Sequence, residues 1–412
     1  SDAVMSPRNL LDDPCWQGHD LGHPLPDATH AVSVALPRWS DVIAYEENEP
    51  SCRAALRAVY PRFGLHPLVR ELADLALKES GWASSTGFSS WPYPSEAAAK
   101  AAANHCQRKA PDGFSTIQTV RGVPCLVADP IRTMAAKAFW QHAGLGASSR
   151  LAAIALGQEA SPDAAIAKTA LNTLIQRLAG IYGCQEIAIS LHPSGMAALH
   201  RALQRIEVLH PGRPVLQIGF PYVDVLKLPQ VVFSGAELLL DDAPSQVKTA
   251  LDRLQPGAIV VELPSNPLLR CVNLPDIATL AHERGIPVIA DDTIGSGLNI
   301  NALPHADLVF SSLTKSFAGR GDVMAGSLVI SPFSPWWESW ARSTASAQAV
   351  ADLAGADALA LEQGSRDVAK RVAKLNANTQ SLAAKLQHHP AVAQVFHPER
   401  CERFNRLRRS EG

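Results

Sequence analysis

The sequence predicts an α/β protein with a mostly parallel central sheet flanked by helices. From about residue 185 to residue 331, short apolar runs rich in β-branched residues alternate with helical stretches. These runs do not alternate strictly between apolar and polar residues, which is typical of strands that are buried on both faces and joined by crossover helices. The predicted strands cover residues 187–191, 214–220, 236–241, 258–263, 287–292, 306–312 and 326–331.

Helical periodicity is found both inside and outside this segment. Between the strands it predicts helices over 196–209, 245–254 and 275–284, and elsewhere over 67–80, 95–109, 163–182 and 367–388. Residues 1 to about 60 are rich in Pro and Asp and predict an irregular arm. We therefore expect an N-terminal arm and helical extension over 1–165, a large α/β domain over 166–335 and a further C-terminal part over 336–412.

Composition and charge exclude several classes of protein. The chain has 412 residues, 47% of them hydrophobic, and its net charge of −2 shows no basic excess, so we expect neither disorder nor nucleic-acid binding. No apolar run approaches the roughly 18 residues that a membrane span needs. Acids near the N-terminus argue against a signal peptide, and we expect a cytoplasmic protein. The seven cysteines form no CxxC pair and there is no HExxH, so we expect no protein-built metal site.

Unusual polar residues follow the predicted strands at their carboxyl ends, where open α/β sheets bind ligands. Lys315 follows one strand together with Ser and Thr residues, and Asp291 and Asp292 end another. Ser194 and Gly195 open a helix, whose N–H groups suit a phosphate. Each feature alone is usually structural: a surface lysine, a solvated strand end or a helix cap.

Together these residues indicate pyridoxal phosphate. This cofactor needs an amine such as that of Lys315, a carboxylate for its ring nitrogen, an aromatic face such as that of Tyr222, and donors for its phosphate. A nicotinamide enzyme is the obvious rival for this fold class, but Gly319, Gly321 and Gly326 lack the GxGxxG spacing. The sequence also contains no phosphate-binding GxxxxGK[ST] loop.

Two long segments carry a family resemblance. ELPSNPLLRCVNLPDIATLAHERGIPVIADDTIGSG and ADLVFSSLTKSFAGRGDVMAGSLV resemble the pyridoxal-phosphate enzymes of Cys/Met metabolism, and among them the fungal-type cystathionine gamma-synthases, which also carry GFPYVDVLK and YPRF. The resemblance is close over about 167–412 and looser over 31–75. It implies an aspartate-aminotransferase-like fold (fold type I) with an N-terminal helical extension, a cofactor-binding large domain and only the beginning of a C-terminal small domain.

The resemblance also implies residue roles. Lys315 would form the Schiff base, Asp291 would pair with the pyridine nitrogen and Tyr222 would stack on the ring. Asn266, with Glu262 nearby, would meet the oxygen side of the ring or the substrate carboxylate. The residues implied for the phosphate are Ser194, Gly195, Met196, Ser312 and Thr314, together with Tyr60 and Arg62 on an arm from a neighbouring subunit. That arm implies a homodimer or homotetramer with shared sites.

The sequence departs from the family pattern in several respects. The GHSD after the lysine reads Gly319-Arg320-Gly321-Asp322, and Asp292 replaces an Asn. The region between Tyr60 and Ser194 is much longer than in the compact bacterial enzymes, although the fungal-type enzymes are long here too. We also expect the arginine that grips the substrate carboxylate to belong to a part of the small domain beyond residue 412.

The expected activity is gamma-replacement on an O-acyl-homoserine with a thiol nucleophile. A gamma-lyase or an O-acylhomoserine sulfhydrylase is the alternative within the class, because the motif residues do not separate these reactions. An inactive cofactor-binding scaffold or regulatory subunit is the alternative from another class. The expected partners are amino-acid substrates and a second copy of the chain.

Overall fold

A seven-stranded sheet forms the centre of the molecule. The computed structural model describes residues 8–82, 87–347 and 353–409. The strand order is β6-β12-β11-β10-β9-β7-β8, in which β12 runs antiparallel to both of its neighbours and all other adjacent pairs are parallel. The strands are β6 (Ile189–His192), β7 (Val215–Ile218), β8 (Ala236–Leu239), β9 (Ala258–Glu262), β10 (Val288–Asp291), β11 (Leu308–Ser312) and β12 (Gly326–Ile330).

Helices cover both faces of this sheet. They are α7 (Ala164–Tyr182), α8 (Gly195–Leu209), α9 (Val223–Val232), α10 (Pro244–Leu254), α11 (Leu274–His282) and α12 (Ser296–Asn299). Leu174 of α7, Leu251 of α10 and Ile277 of α11 belong to one apolar cluster, whereas Leu199 of α8 and Leu228 of α9 belong to a second. The α/β fold with a mostly parallel sheet is confirmed. Helix α9, which contains Pro229, was missed by the sequence analysis because an internal proline usually ends a helix.

The register of β9 and β10 determines which strand-end residues share a face. Val260 pairs with Ile289 and both lie in the cluster under α8, whereas their successors Val261 and Ala290 lie in the cluster under α7. Side chains alternate between the faces of a strand. The next pair, Glu262 and Asp291, therefore lies on the α8 side.

The N-terminal region contains a second sheet that the sequence analysis did not predict. Its antiparallel order is β3-β5-β4. Arg121 and Gly122 join β4 to β5 with positive φ angles of 49° and 84°, as in a two-residue type I′ hairpin. Arg is not among the residues preferred at the first of these two positions, so the sequence only weakly predicted a hairpin here. The elements are α3 (Pro67–Glu79), β3 (Ser89–Pro92), α4 (Glu96–Lys109), β4 (Ser115–Val120), β5 (Val123–Ala128), α5 (Thr133–Ala143) and α6 (Ser149–Ala155).

The two ends of the described chain are built from short elements and one long helix. Where an irregular arm was predicted, the structure has β1 (Pro24–Leu25), β2 (Ser33–Val34), α1 (Trp39–Glu46) and α2 (Pro50–Ala55). After the central sheet come α13 (Trp337–Ala347), α14 (Gly355–Gly364), α15 (Val368–Gln387) and α16 (Glu402–Asn405). Across the described ranges, no helix combines the length and the apolar character that crossing a membrane requires.

Candidate active site

Lys315 lies in the loop between β11 and β12, just beyond the carboxyl end of β11. The loop turns back on itself, with the Gly319 N–H donating to the Lys315 carbonyl at 3.0 Å. The lysine side chain is exposed, and its Nζ lies 3.5 Å from the Tyr60 hydroxyl and 4.7 Å from the centre of the Tyr60 ring. The structure therefore places a primary amine at the ligand-binding edge of the sheet, beside an aromatic residue of the N-terminal arm.

Two acids lie side by side at this edge. Asp291 is 6% exposed, and its Oδ1 accepts hydrogen bonds from the Thr293 N–H at 3.0 Å and the Thr293 hydroxyl at 2.6 Å. Glu262 accepts from the backbone N–H groups of Tyr222, at 2.6 Å, and Asn266, at 3.1 Å. Burial raises the pKa of both carboxyls, and the nearby Asp291 raises that of Glu262 further. A cation at this edge would relieve the cost of these buried charges.

Asp292 is directed to the opposite face of the sheet. Its Oδ2 accepts a hydrogen bond of 2.8 Å from the Tyr182 hydroxyl on α7, and burial raises its pKa to about 7. Its Oδ1 is buried and has no hydrogen-bond partner within the described ranges. Of the two adjacent acids, Asp291 is therefore the one that lies on the α8 side together with Glu262.

The start of α8 comes very close to the end of β11. A Cβ added to Gly195 would lie 2.9 Å from the Ser312 Cα, so only glycine fits at this contact. The Ser194 hydroxyl accepts from the Ala197 N–H at 3.0 Å and donates to the Gly144 carbonyl at 2.8 Å. An α-helix offers no internal acceptor to its first N–H groups, so those of Gly195 and Met196 are available to an anion.

The residues predicted to hold a phosphate differ in whether their polar groups are already hydrogen-bonded within the protein. Gly195, Met196 and Ser312 are brought together at the start of α8. The hydroxyls of Ser194 and Thr314 are bonded to backbone groups, the latter accepting from the Ala325 N–H at 3.1 Å. This arrangement favours backbone donors of α8 as the main anion contacts, with Ser194 acting as the cap that holds the helix start.

Tyr222 and Arg62 meet at a buried carboxylate that the sequence analysis did not single out. Asp224 Oδ2 accepts hydrogen bonds from Arg62 Nη1 at 2.9 Å and from the Tyr222 hydroxyl at 3.0 Å, and Arg62 Nη2 donates to Tyr222 at 3.1 Å. His142 Nδ1 of α5 lies 3.4 Å from Asp224 Oδ1. Burial alone would raise the pKa of Asp224, but the nearby His142, the charge and hydrogen bond of Arg62, and the hydrogen bond of Tyr222 lower it to about 2.

These contacts belong to a single chain. Tyr60 and Arg62, which the resemblance assigned to a neighbouring subunit, lie here against the chain's own Lys315 and Asp224. Asn266 is exposed, and its contact with the site is the backbone bond to Glu262. The sequence could have indicated Asp224 as a site residue, because it follows Tyr222 by two residues in the motif GFPYVDVLK. No sequence motif indicated His142, because it lies on a helix that is distant in the chain.

An amine, a buried acid pair and a helix start at one sheet edge define the class of a cofactor-dependent α/β enzyme. The profile of the Cys/Met metabolism PLP-dependent enzyme family matches residues 166–409. The chain belongs to this family, and its cofactor is pyridoxal phosphate. The residues fit the cofactor for two reasons. Among the described residues, no cation faces the buried Glu262 and Asp291, and a Cβ at Gly195 would fill the space between α8 and Ser312.

Named relatives agree with this family, and a solved structure shares the fold. The chain is 28% identical to a cystathionine gamma-synthase from Neurospora crassa, over 92% of this chain and 82% of that protein. It is 31% identical to an L-2-amino-4-chloropent-4-enoate dechlorinase/desaturase from Streptantibioticus cattleyicolor, over 91% of this chain and 76% of that protein. The crystal structure of metB from Corynebacterium glutamicum shares the fold, with a TM-score of 0.50 at 21% identity, over 61% of this chain and 66% of that one.

Proposed function

We propose that this enzyme replaces the γ-substituent of an O-acyl-homoserine with a thiol, as a cystathionine gamma-synthase does. The observation that supports this most is the meeting of Lys315, Asp291 and the start of α8 at one edge of the sheet. The likeness to the Neurospora crassa enzyme adds to it. Self-association and a cytoplasmic location belong to the same proposal.

In this proposal the bound cofactor supplies an electron sink for the substrate carbon next to the amine. Lys315 Nζ accepts the proton from that carbon, because it is a primary amine on a flexible side chain at the edge of the site. The Tyr60 hydroxyl, 3.5 Å from Nζ, is placed to exchange a proton with it. Asp291 would hold a proton on the ring nitrogen of the bound cofactor, because a buried carboxylate is stabilised by an adjacent cation.

Tyr222 supplies the aromatic face, and its orientation is fixed at both ends. Its hydroxyl is held by Arg62 and Asp224, and its backbone N–H by Glu262. Burial raises the pKa of the Tyr222 phenol to about 12, so the phenol stays protonated at neutral pH. Glu262 also binds the Asn266 N–H and thereby orders the loop that carries Asn266 toward the substrate.

Elimination at the γ carbon is the second candidate. The Streptantibioticus cattleyicolor relative is named for removing chlorine from carbon 4 of an α-amino acid, which is the γ carbon. A gamma-lyase or a sulfhydrylase would use the same Lys315 and Asp291, because all of these reactions begin with proton loss at Cα. The later steps depend on which nucleophile, if any, reaches the γ carbon.

A product assay separates these reactions. The purified enzyme with its cofactor would be incubated with O-acetyl- or O-succinyl-homoserine, together with cysteine, sulfide or no thiol, and the products identified by mass spectrometry. We expect cystathionine from the cysteine reactions and none from Lys315→Ala. Formation of 2-oxobutanoate at the same rate with and without a thiol would indicate a lyase, homocysteine alone a sulfhydrylase, and cofactor binding without turnover a scaffold.

A further inference from the structure

Arg371 of α15 reaches the loop that carries Lys315. Its Nη2 donates to the carbonyl oxygens of Ser316 and Phe317, each at 2.9 Å. These are the two residues that directly follow the lysine. Arg371 thus bonds the C-terminal helix α15 to the lysine loop.

The loop needs such a donor because of its backbone conformation. It forms a turn in which the Ala318 N–H bonds to the Leu313 carbonyl at 2.9 Å and the Gly319 N–H to the Lys315 carbonyl at 3.0 Å. The carbonyls at the end of a helical turn have no partner within the turn. A guanidinium presents several donors in one plane and can bind neighbouring carbonyls together.

The other contacts of Arg371 anchor it to the helices. Its Nη2 also lies 3.4 Å from the Gly364 carbonyl at the end of α14, and its Nη1 bonds to Asp367 at 2.5 Å. Asp367 is placed one turn earlier than Arg371, so the pair is a salt bridge between adjacent turns. Asp367 and the Gly364 carbonyl therefore fix the position of the guanidinium relative to the helices, and its remaining donors face the loop.

Gly319 provides a second, independent observation. Its φ of +71° favours glycine, and a Cβ at this position would lie 2.3 Å from the Arg371 Cζ. The loop therefore leaves the space that the guanidinium fills. Gly321, two residues further on, has a similar φ of +70°, but a Cβ there would meet nothing closer than 3.4 Å.

We propose that Arg371 is a positioning residue that fixes the Lys315 loop and so holds Nζ at the site edge. The proposal rests on the proposed role of Lys315. Without Arg371, the carbonyls of Ser316 and Phe317 lose their donor and the loop samples other conformations. The proton transfer by Lys315 then slows, whereas the start of α8 and the residues that orient Tyr222 lie outside this loop and are untouched. The expected signature is a lower kcat with little change in KM.

The first test uses the cofactor-free protein and does not depend on activity. Hydrogen exchange of a peptide covering 313–320 and trypsin cleavage after Lys315 would be compared among the wild type, Arg371→Ala, Arg371→Lys and Arg366→Ala. Arg366 is the matched control, because its side chain is largely exposed and bonds to Glu362. We expect about tenfold faster exchange and cleavage in Arg371→Ala, a smaller increase in Arg371→Lys, and none in Arg366→Ala or in the β9 peptide.

The glycine pair tests the same contact from the loop side. Gly319→Ala should loosen the loop as Arg371→Ala does, whereas Gly321→Ala carries a similar backbone cost without displacing the guanidinium. Equal exchange in Arg371→Ala and Arg366→Ala, or in Gly319→Ala and Gly321→Ala, would overturn the proposal. A loosened loop with unchanged kcat would instead show that Lys315 does not have its proposed role.

Discussion

At the scale of single residues, the most informative contrast is between two neighbouring acids. Asp291 and Asp292 are adjacent on one strand, so their side chains must lie on opposite faces of the sheet. Asp291 shares its face with Glu262, whereas Asp292 bonds to Tyr182 on the other side. Their chemical roles should differ accordingly, although both are carboxyls in the same buried region.

Turnover should depend on the first acid and not on the second. We expect Asp291→Asn to keep the cofactor but to lose several orders of magnitude in kcat, because an amide cannot hold a proton on the ring nitrogen. Asp292→Asn should change kcat little. Cofactor absorbance per chain and steady-state kinetics check both variants, and equal damage from the two would contradict the assignment.

The pH dependence of stability should contain a contribution from Asp292. Burial raises its pKa from 3.8 to about 7 in the folded protein, so the unfolded chain releases this proton at lower pH. Through this group the folded state loses stability as the pH rises from about 4 to about 7, and above that range the contribution of Asp292 is level. In the cofactor-free protein, Asp292→Asn should reduce the loss between about pH 5 and about pH 8 by on the order of 1–3 kcal/mol.

Urea unfolding at the two pH values measures this effect. The control is Asp112→Asn, which removes an exposed carboxyl and should leave the pH dependence as it is. A profile for Asp292→Asn that parallels the wild type would mean that Asp292 is already ionised in the folded protein at low pH.

Lys315 should be the lysine that carries the cofactor. We expect borohydride reduction of the purified protein to fix the cofactor to the peptide containing Lys315, because its amine lies exposed at the sheet edge beside Tyr60. Peptide mapping would show this label in the wild type and in the control Lys370→Ala, which changes an exposed lysine of α15. A fixed label on another lysine in Lys315→Ala would refute the site.

At the scale of elements, the contact between the end of α5 and the start of α8 sets the geometry of the proposed anion site. Gly144 ends α5 with a φ of +65°, and its carbonyl receives the hydroxyl of Ser194. A Cβ at Gly144 would lie 2.3 Å from that hydroxyl oxygen. The N-terminal region thus holds the α8 cap in place.

Replacing this glycine should therefore affect both stability and cofactor binding. Gly183 ends α7 with nearly the same φ of +68° but has open space around it, so Gly183→Ala is a matched control. We expect Gly183→Ala to cost about 1–2 kcal/mol from backbone strain alone. Gly144→Ala should cost about 1–3 kcal/mol more, because the cap must shift.

Denaturant unfolding and a cofactor titration measure the two effects. Gly144→Ala should also weaken cofactor binding, since Ser194 and the first N–H groups of α8 move together. Equal results for the two glycine variants would show that the α5–α8 contact does not shape the anion site.

At the scale of the whole molecule, the site is assembled from regions far apart in the chain. Residues 166–409 match the family profile, yet Arg62, His142 and Gly144 come from the region before it. In the N-terminal arm, Tyr60 contacts Lys315 and Arg62 binds Asp224. An arm from a second copy can make the same contacts, because exchange of an identical element preserves them.

Mixing two inactive variants tests whether arms are exchanged. Arg62→Ala leaves the buried Asp224 without its main cation, and Lys315→Ala removes the amine, so each variant alone should be inactive. If the proposed oligomer shares its sites, an equal mixture should recover about one quarter of the wild-type activity, because half of the dimers are hybrids with one intact site. A mixture that stays inactive despite proven subunit exchange would show that each arm serves its own chain.

The sequence by itself determined the sheet and the edge at which the site forms. The apolar runs of β6 to β12 and the periodicity of α7, α8, α10, α11 and α15 are local patterns, set by residues two to four positions apart. Because parallel strands end at one edge, the order of the elements was enough to bring Lys315 and Asp291 to the same place.

The tertiary structure alone decided the contacts between distant residues. Strand register decides that Asp291, and not Asp292, shares a face with Glu262. The sheet at 89–128 depends on strand pairing around a turn whose residues only weakly predict a hairpin. Asp224 with Arg62, and Arg371 with the lysine loop, join positions 162 and 55 residues apart. No local pattern encodes such pairs, because buried charges and free carbonyls find their partners only when the packed chain brings them within hydrogen-bond distance.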